Sequence, residues 1–346
     1  MSQQIIKLGF QNGLRFQSFV KEVFEIEGLE KLYKFEETEN PDFIIFGPYG
    51  NDIPAKGNYT RIGYYCENFD PDFSICDWSF GVPAENNFNN PTYRRIQWHG
   101  LNPKDLVKNI DVEKEFNNKT NFCCFLYSNL VSYREAFFKQ LSVYKKVDAP
   151  GKSMNNMGSI DDLYTGTRWE IKRQFISSYK FTVAFENYAY PGYQTEKLYD
   201  AMLSNSIPIY CGDPNVTEVF NPKSFINVFD HLKTKKAFIS KFLEKSCQSN
   251  FKDYRPGIYN NLIDNIIRKI KIIGKEQKMR LQLNNFDFRP LIDIIAQVDN
   301  NDELYKQMLA EPWFTNNKVP SNFHSKARWV EIFESSLKKV NYGKAK

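Results

Sequence analysis

The sequence predicts an α/β protein with two halves, each built on a parallel, doubly wound sheet. Short apolar segments alternate with amphipathic segments along the chain, and the connections between them are short. A polar stretch at 111–120, DVEKEFNNKT, separates two such runs and is the candidate linker. We therefore expect two Rossmann-like domains facing a cleft, at 1–117 and 118–305, followed by a helical tail at 306–346 that is free to return to the first domain.

The first half opens with a predicted strand, QIIKLGF, and a predicted helix, FQSFVKEVFEI, whose apolar residues recur at helical spacing. Three further short strands, separated by turn residues, are predicted in DFIIFG, RIGYYC and CDWSFG. A second helix is predicted in NPKDLVKNI, because Asn102 is a suitable N-cap when Pro103 takes the first helical position.

The second half repeats this alternation. Five segments are predicted to be strands: NFCCFLYS, YKKVDAPG, KFTVAF, IPIYCG and SFINVFD. Three are predicted to be helices: SYREAFFKQLSVY, RQFISSY and TEKLYDAML. In the first of these helices Tyr133, Phe137, Leu141 and Tyr144 form one apolar stripe, which leaves Arg134 off the stripe and able to point into a cleft.

The charge composition limits the kinds of ligand that the protein is expected to bind. The 346 residues include 46 Lys/Arg and 41 Asp/Glu, and the net charge of +5 is too balanced for a nucleic-acid-binding protein. It suits a mildly basic cleft for a phosphate-bearing ligand. The chain has no apolar run of membrane-spanning length, and SQQIIKLGF lacks the basic and apolar regions of a signal peptide, so a soluble, cytoplasmic protein is expected.

The cysteines and histidines predict no metal site. The three histidines lie far apart without acidic neighbours at ligand spacing, and no cysteines form a C-x-x-C pair. We expect the cysteines to be small apolar residues of a reduced protein. They occupy positions 66, 76, 123, 124, 211 and 247.

Two basic segments have two interpretations. IIRKIKIIGKEQKMR at 266–280 and KKVNYGKAK at 338–346 carry most of the local positive excess. Charge runs of this kind are usually a solvated helix face and a frayed terminus. The alternative is weak peripheral association with an anionic membrane, such as an inner membrane face. The oligomeric state is left open.

A lysine at the start of a predicted helix is a functional signal. Thr195 can cap TEKLYDAML, with Leu198, Ala201 and Met202 buried, so Lys197 falls in the first turn, where the partial positive charge of the helix end disfavours it. A phosphate bound there by the free N–H groups and the ammonium would remove this cost. The alternative is a surface lysine that extends into solvent. The loop ENYAYPGY favours the phosphate, because it follows a predicted strand at the end where such sheets bind ligands.

The segment KFTVAFENYAYPGYQTEKLYDAMLSNSIPIYCGDPNVTEVFNPKSFINVFD closely resembles the signature region of the family 10 glycosyltransferases, the α-1,3/4-fucosyltransferases. FEN, TEK, IPIY-G and NPKSFINV occur in the family's order and at its intervals. YYCENFDPDFSICDWSFG, YSNLVSYREAFFKQL and LAEPWF extend the resemblance over most of the chain. The resemblance implies a GT-B fold, GDP-fucose as donor, inversion, and no essential metal or other cofactor.

The resemblance also implies residue roles. Lys197 matches the phosphate-contacting lysine, Arg134 the arginine that contacts the donor diphosphate, and Glu67, in CENF, the proposed general base. Glu67 follows the strand RIGYYC, and Tyr64 or Tyr65 could tune its pKa. The donor-binding candidates are Ser128, Asn129, Glu186, Asn187, Tyr193 and Glu196, the last as a partner for ribose hydroxyls. Gln194 stands where the family usually has valine, which puts the packing under the donor loop in doubt.

The acceptor is expected in first-domain loops, roughly 47–60 and 81–100. Asn68, Trp98 and His99 are the acceptor-binding candidates, as groups able to stack on or hydrogen-bond a sugar. The triplet DPD at 70–72 has two interpretations: a Pro71 turn, or a D-x-D site for a divalent metal that holds the diphosphate. The turn is favoured.

These observations predict an inverting α-1,3-fucosyltransferase that moves L-fucose from GDP-fucose to the GlcNAc of a Gal-β-1,4-GlcNAc acceptor and makes Lewis-type structures. Glu67 would be the general base, and Arg134 with Lys197 would stabilise the leaving diphosphate. The alternatives are a transferase of the same fold that uses another GDP-sugar or makes an α-1,4 linkage, and a non-catalytic sugar-nucleotide or glycan-binding protein.

Overall fold

The computed structural model describes residues 3–232, 249–255, 257–283 and 287–344, although it leaves the side chains of 278–283 and 336–344 undescribed. The chain divides into two compact units. The first comprises Met1–Asn102, Ser246–Ile273 and Ser321–Lys346, and the second comprises Pro103–Lys245 and Gly274–Pro320. Each unit contains one parallel sheet.

The sheet of the first unit has strands β1 (Gln4–Gln11), β2 (Tyr33–Glu37), β3 (Phe43–Phe46), β4 (Thr60–Tyr65), β5 (Trp78–Gly81) and β6 (Tyr93–Arg95). They pair in parallel in the order β2-β1-β3-β4-β5-β6. Strand β3 is buried along its whole length, which is why FIIF is continuously apolar rather than alternating.

The sheet of the second unit has strands β7 (Asn121–Cys124), β8 (Val147–Asp148), β9 (Tyr179–Phe185), β10 (Ile207–Cys211) and β11 (Ile226–Asn227). They pair in parallel in the order β11-β10-β9-β7-β8. The two parallel sheets confirm the predicted α/β class with two Rossmann-like halves.

The helices fill the connections. The α-helices are α1 (Phe16–Phe19), α2 (Val112–Asn118), α3 (Ser132–Tyr144), α4 (Arg168–Ser177), α5 (Glu196–Leu203), α6 (Val228–His231), α7 (Phe251–Tyr254), α8 (Leu262–Leu283), α9 (Arg289–Asp299), α10 (Asp302–Ala310) and α11 (Lys326–Lys344). A π-helical turn, Val20–Phe24, continues α1. The 3-10 turns are Glu85–Asn87, Pro103–Leu106, Ile160–Asp162, Val216–Glu218, Thr315–Asn317 and Ser321–Phe323.

The predicted linker was wrong. Residues 112–118 form helix α2, whose first turn is capped by the Asp111 carboxylate accepting from Lys114 N at 3.1 Å. The structure places the boundary between the units at Asn102 and Pro103 and returns to the first unit twice, at Ser246 and Ser321. The helix predicted in NPKDLVKNI is only a 3-10 turn, and SFINVFD changes from strand to helix at Val228.

The two strands that the sequence did not predict are both at sheet edges. β2 and β6 end their sheet on either side, and their sequences, YKFEE and YRR, are rich in charge. Edge strands carry charged residues because one side lies open to solvent, so they lack the apolar signal of a central strand.

The core of the first unit includes the C-terminal helix. Trp329 on α11 is fully buried, stacks on Phe80 of β5 with ring centroids 4.3 Å apart, and meets Phe24 edge-on at 5.1 Å. Phe333, one turn further, packs on Phe43 of β3. Helix α11 therefore completes the core that strands β1 to β5 begin.

The described cysteines are free thiols, and four of the five, Cys76, Cys123, Cys124 and Cys211, are buried as predicted. Burial raises the pKa of Cys124 to about 12. Cys247 lies outside the described residues. Within the described part of the chain, no helix has the length and apolarity to cross a bilayer, and no group of three His, Cys, Asp or Glu is placed to hold a metal.

Candidate functional site

A cleft of about 420 Å³ opens in the second unit, where the loops after β7, β8 and β9 meet the first turns of α3, α4 and α5. These loops leave the carboxyl ends of parallel strands, which is where open α/β sheets bind ligands. Five cationic side chains line the cleft, against the two carboxylates of Asp161 and Glu196. The cations are Arg134, Lys152, Arg168, Lys172 and Lys197. The cleft is therefore built for an anion.

Arg134 is a buried cation. Its side chain lies in the first turn of α3 and over the ring of Tyr127, 4.3 Å from the centroid. Nε donates to the carbonyl of Glu186 at 3.2 Å, and the guanidinium also donates to Asn187 Oδ1 at 2.5 Å. Both acceptors are uncharged, and within the described residues no carboxylate forms an ion pair with Arg134. An anion in the cleft would therefore meet a guanidinium with an unneutralised charge.

Lys197 lies beside it at the start of α5. Its ammonium donates to Thr195 Oγ1 at 2.9 Å and lies 3.2 Å from Glu196 and 3.4 Å from Glu186. Burial lowers the pKa of Lys197, but the two carboxylates outweigh burial and hold this pKa above its ordinary value, although Arg134 repels it. Lys197 is thus a charged ammonium at neutral pH.

Thr195 does not cap α5 in the way that the sequence suggested. It occupies the N-cap position, but its hydroxyl donates to the Glu186 carboxylate at 2.7 Å and makes no capping bond to the helix. The first N–H groups of α5 therefore have no side-chain acceptor from the N-cap, which leaves this helix end suited to a phosphate.

Glu186 was predicted as a donor-binding residue, and the structure places it behind the cleft. Its side chain is fully buried and does not line the cleft. It accepts from Thr195 N at 2.8 Å and pairs with Lys197. Burial raises the pKa of Glu186, and Lys197 opposes that rise. Glu186 therefore fixes the position of Lys197 from behind the cleft.

Four other donor candidates line the cleft: Ser128, Asn129, Asn187 and Glu196. Burial raises the pKa of Glu196, but Lys197 and Lys172 outweigh it and lower this pKa, so Glu196 is a carboxylate able to accept hydrogen bonds. Tyr193 is different, because it is buried and stacks on Tyr188 at 5.2 Å rather than lining the cleft.

The structure explains the glutamine at position 194, where the family usually has valine. Its amide is buried and donates to Asp213 Oδ2 at 2.7 Å, while Asp213 Oδ1 accepts from Gly192 N at 2.8 Å. Asp213 thus accepts hydrogen bonds from the residues on both sides of Tyr193 and stabilises this loop. The buried polar side chain at position 194 therefore has a hydrogen-bond partner.

Glu67 lies in the first unit, two residues after β4. Its Oε1 accepts a hydrogen bond from the Tyr49 hydroxyl at 2.6 Å. Burial raises the pKa of nearby Tyr254, and the negative charge of Glu67 raises it further. The predicted neighbours, Tyr64 and Tyr65, are instead buried in two separate apolar clusters, because successive strand residues point to opposite faces. Tyr49 was the missed partner.

The acceptor candidates have structural contacts of their own. Asn68 is buried, and its Oδ1 receives no hydrogen bond from any residue that the structure describes. His99 lies 3.1 Å from Glu22 and 3.4 Å from the Tyr64 hydroxyl; burial lowers its pKa and Glu22 opposes this. Trp98 packs edge-on against Phe323.

The triplet at 70–72 leads into a turn that begins at Asp72, where Ile75 N donates to the Asp72 carbonyl at 3.3 Å, while Asp70 forms a bridge with Asn250. Asp72 Oδ1 accepts from Ser74 N at 3.0 Å and Oδ2 accepts from the Tyr259 hydroxyl at 2.5 Å. Burial raises the pKa of Asp72, but these bonds outweigh it and hold the pKa below its usual value. The hydrogen bonds of Asp72 agree with a turn that begins at this residue, one position later than the predicted Pro71 turn.

Two family models match the chain. One, described as glycosyltransferase family 10 (fucosyltransferase) C-term, matches residues 116–256, and the other, described as the Alpha-(1,3)-fucosyltransferase FucT N-terminal domain, matches residues 10–99. The chain belongs to glycosyltransferase family 10. The predicted family is thereby confirmed, and the second-unit cleft lies within the first of the two matches.

Curated relatives of this family 10 protein have matching names. Alpha-(1,3)-fucosyltransferase FucT of Helicobacter pylori is 30% identical over 243 residues, which cover 58% of this chain and 49% of that protein. A putative fucosyltransferase of Acanthamoeba polyphaga mimivirus is 30% identical over 202 residues, which cover 57% of this chain and 25% of that protein. The chain thus spans half or less of the length of these relatives.

Solved structures support the fold of the family 10 chain. A crystal structure of alpha1,3-fucosyltransferase matches with a TM-score of 0.63 and 22% identity, covering 97% of this chain and 91% of that chain. A structure of alpha1,3-fucosyltransferase with GDP-fucose matches with a TM-score of 0.60, also at 22% identity. At this identity the likeness shows the fold, and it confirms the predicted GT-B class.

Sequence reasoning missed one wall of the family 10 cleft. Arg168, Trp169 and Lys172 lie on the first turns of α4, which the pattern RQFISSY placed several residues too late. The missed signal was the capping box at the start of α4, in which Glu170 N donates to Thr167 Oγ1 and Glu170 accepts from Thr167.

Proposed function

We propose that the chain is an inverting, metal-independent α-1,3-fucosyltransferase that moves L-fucose from GDP-fucose to the GlcNAc of a Gal-β-1,4-GlcNAc acceptor, making Lewis-type structures. The observation that carries the proposal is the pair of cations in the strand-end cleft of a family 10 chain, namely the buried Arg134 and the partly buried Lys197. The relatives named as alpha-(1,3)-fucosyltransferases and the structure with GDP-fucose support the linkage and the donor.

The cation pair stabilises the leaving group in this proposal. The bond between fucose C1 and the phosphate oxygen breaks with its electron pair going to the diphosphate, and the sugar passes through an oxocarbenium-like state. Arg134 and Lys197 neutralise the charge that grows on the diphosphate, from fixed positions that need no reorganisation. Glu196, beside Lys197, accepts from the ribose hydroxyls of the nucleotide.

Glu67 removes the acceptor proton. As the acceptor oxygen forms its bond to C1, its proton passes to the Glu67 carboxylate. Tyr49 donates to Oε1 of that carboxylate and fixes its orientation. Within the described residues, Oε2 receives no hydrogen bond and is the oxygen proposed to take the proton.

Three aromatic side chains of the described residues are exposed, and each flanks a proposed site. Trp169 lines the cleft, while Tyr49 and Tyr254 lie near Glu67 with ring centroids 6.1 Å apart. Exposed rings offer flat apolar surfaces for a purine or for the faces of a sugar. We propose that Trp169 stacks on the guanine and Tyr254 on the acceptor.

Trp169→Ala is expected to weaken GDP binding about five- to a hundredfold, because stacking on a base contributes about 1–3 kcal/mol. Tyr254→Ala is expected to raise the KM for the acceptor and leave GDP affinity unchanged. Calorimetry with GDP and initial rates with N-acetyllactosamine measure both effects. Each variant is the other's control, and a Tyr254→Ala protein with an unchanged acceptor KM would reject the acceptor surface.

Transfer from GDP-fucose to N-acetyllactosamine is the test of the proposed function. Transfer is expected to continue in excess EDTA, because Arg134 and Lys197 take the charge-neutralising role of a divalent ion. Loss of transfer in EDTA, restored by added magnesium or manganese, would favour a metal at Asp70 and Asp72. GDP-mannose in place of GDP-fucose, and an acceptor with only an α-1,4 site, test the alternative transferases. Binding of GDP-fucose without turnover would favour the non-catalytic alternative.

A further inference from the structure

Two basic side chains of helix α8, Arg268 and Lys271, contact the protein. Arg268 is buried and donates to the carbonyl of Lys252 at 3.3 Å and to the amide of Asn265. Lys271 forms an ion pair with Asp253 at 2.6 Å. These contacts attach α8 to the segment around α7 through hydrogen bonds and charge. The usual arrangement of a surface helix, with an apolar stripe facing the core, is therefore reversed.

The opposite face of α8 is aliphatic and exposed. Of the sixteen exposed large apolar side chains in the described residues, seven lie between Leu262 and Ile273. Five of them recur at spacings of three and four, so they share one face of the helix. They are Ile263, Ile266, Ile267, Ile270 and Ile273. A contiguous apolar patch of this kind on a protein surface indicates a binding surface.

The net charge of the segment that carries this face indicates the occupant. The segment 249–283 contains eight Lys/Arg and three Asp/Glu, a net charge of +5, which equals the net charge of the whole chain. The remaining residues are therefore neutral overall. A second copy packed on this face would bring two such basic segments together, and their like charges would repel. An anionic surface has the complementary charge.

We propose that the aliphatic face of α8, at 262–273, binds the surface of an anionic lipid bilayer. The helix lies in the interfacial plane with its isoleucines among the acyl chains near the headgroups, and Lys269, exposed beside them, lies near the lipid phosphates. The sequence offered membrane association on charge alone. In the structure Arg268 and Lys271 are engaged within the protein and the isoleucines face outward. The exposed isoleucines, rather than the charge alone, therefore support membrane association. The side chains of the basic tail at 338–346 are outside the described ones.

Vesicle flotation tests the proposal without reference to catalysis. The full chain is expected to float with vesicles of phosphatidylcholine mixed with phosphatidylglycerol, and much less with phosphatidylcholine alone. The double variant Ile266→Gln/Ile270→Gln is expected to lower the bound fraction about tenfold, because two aliphatic side chains proposed to insert among the acyl chains become polar. Val143→Gln changes an even more exposed aliphatic residue, on α3, and is expected to bind like the parent chain.

Two results would overturn the proposal. One is a parent chain that stays with the protein-only fraction at low salt. The other is a double variant that floats as well as its parent. Sedimentation equilibrium without vesicles adds a third arm: a parent dimer that the double variant converts to monomer, with no flotation of either, would assign the face to a second copy instead. The fold of the variants is checked by thermal unfolding, since both substituted positions are exposed.

Discussion

Lys197→Ala is expected to lower the rate of fucosyl transfer by about a hundred- to a thousandfold, the usual loss when one fixed group that stabilises developing charge is removed. The ammonium lies at the N-terminus of α5 beside Arg134, where the proposed diphosphate gains charge as the sugar leaves. Initial rates of GDP release measure the loss. Lys139→Ala, an exposed lysine on α3, is the matched control and should retain full activity.

A structural contribution of Lys197 can be separated from its chemical one. Lys197→Ala leaves Glu186 buried with Thr195 as its remaining partner, and breaking a buried ion pair in this way costs about 3–5 kcal/mol of stability. The double variant Lys197→Ala/Glu186→Gln removes both charges and is expected to regain much of the lost Tm, while transfer stays low. If the double variant regains transfer together with stability, Lys197 acts only as a structural partner of Glu186.

Glu67→Gln is expected to lower transfer by about a hundred- to ten-thousandfold, because an amide cannot accept the proton of the acceptor hydroxyl. The amide oxygen can still accept from Tyr49, so the local hydrogen bond and the fold should survive. GDP affinity, measured by calorimetry, should be unchanged, because the nucleotide-binding groups proposed above all lie in the second unit.

Glu39→Gln makes the same chemical change on an exposed loop of the first unit and is the control for Glu67→Gln. A Glu67→Gln protein that turns over at nearly the parent rate would remove Glu67 as the base. A variant whose GDP affinity also falls would show that position 67 affects the donor site, and its loss of transfer could then not be assigned to the base.

The strand-end logic predicted much of the second-unit site. An apolar strand, a polar loop and a lysine in the first turn of the next helix were sufficient to place Asn187 and Lys197 at one edge of a sheet, because parallel strands end on the same side. The depth of each side chain could not be predicted. Glu186 and Asn187 are neighbours, yet one lies behind the cleft and the other lines it, since successive residues leave a strand in opposite directions.

Contacts between distant segments could not be predicted from the sequence. The hydrogen bond from Tyr49 to Glu67 joins two different loops, and no periodicity within either loop indicates it. The edge strands β2 and β6 lacked an apolar signal, and the linker prediction failed because a polar sequence can also be a solvated helix when Asp111 caps it. Local sequence patterns thus predicted the central strands and helices, whereas contacts between distant segments became evident only in the folded structure.

The burial of Trp329 and Phe333 among first-unit strands affects how the chain can fold during synthesis. On the ribosome the strands of the first unit emerge before the second unit, but the aromatic side chains that close their core are made after it. The second unit needs no residue beyond Pro320, so it can be complete while the first still exposes Phe24, Phe43 and Phe80. Nascent chains that stall before α11 should therefore depend on chaperones, and translation pauses just upstream of the α11 codons would lengthen that period.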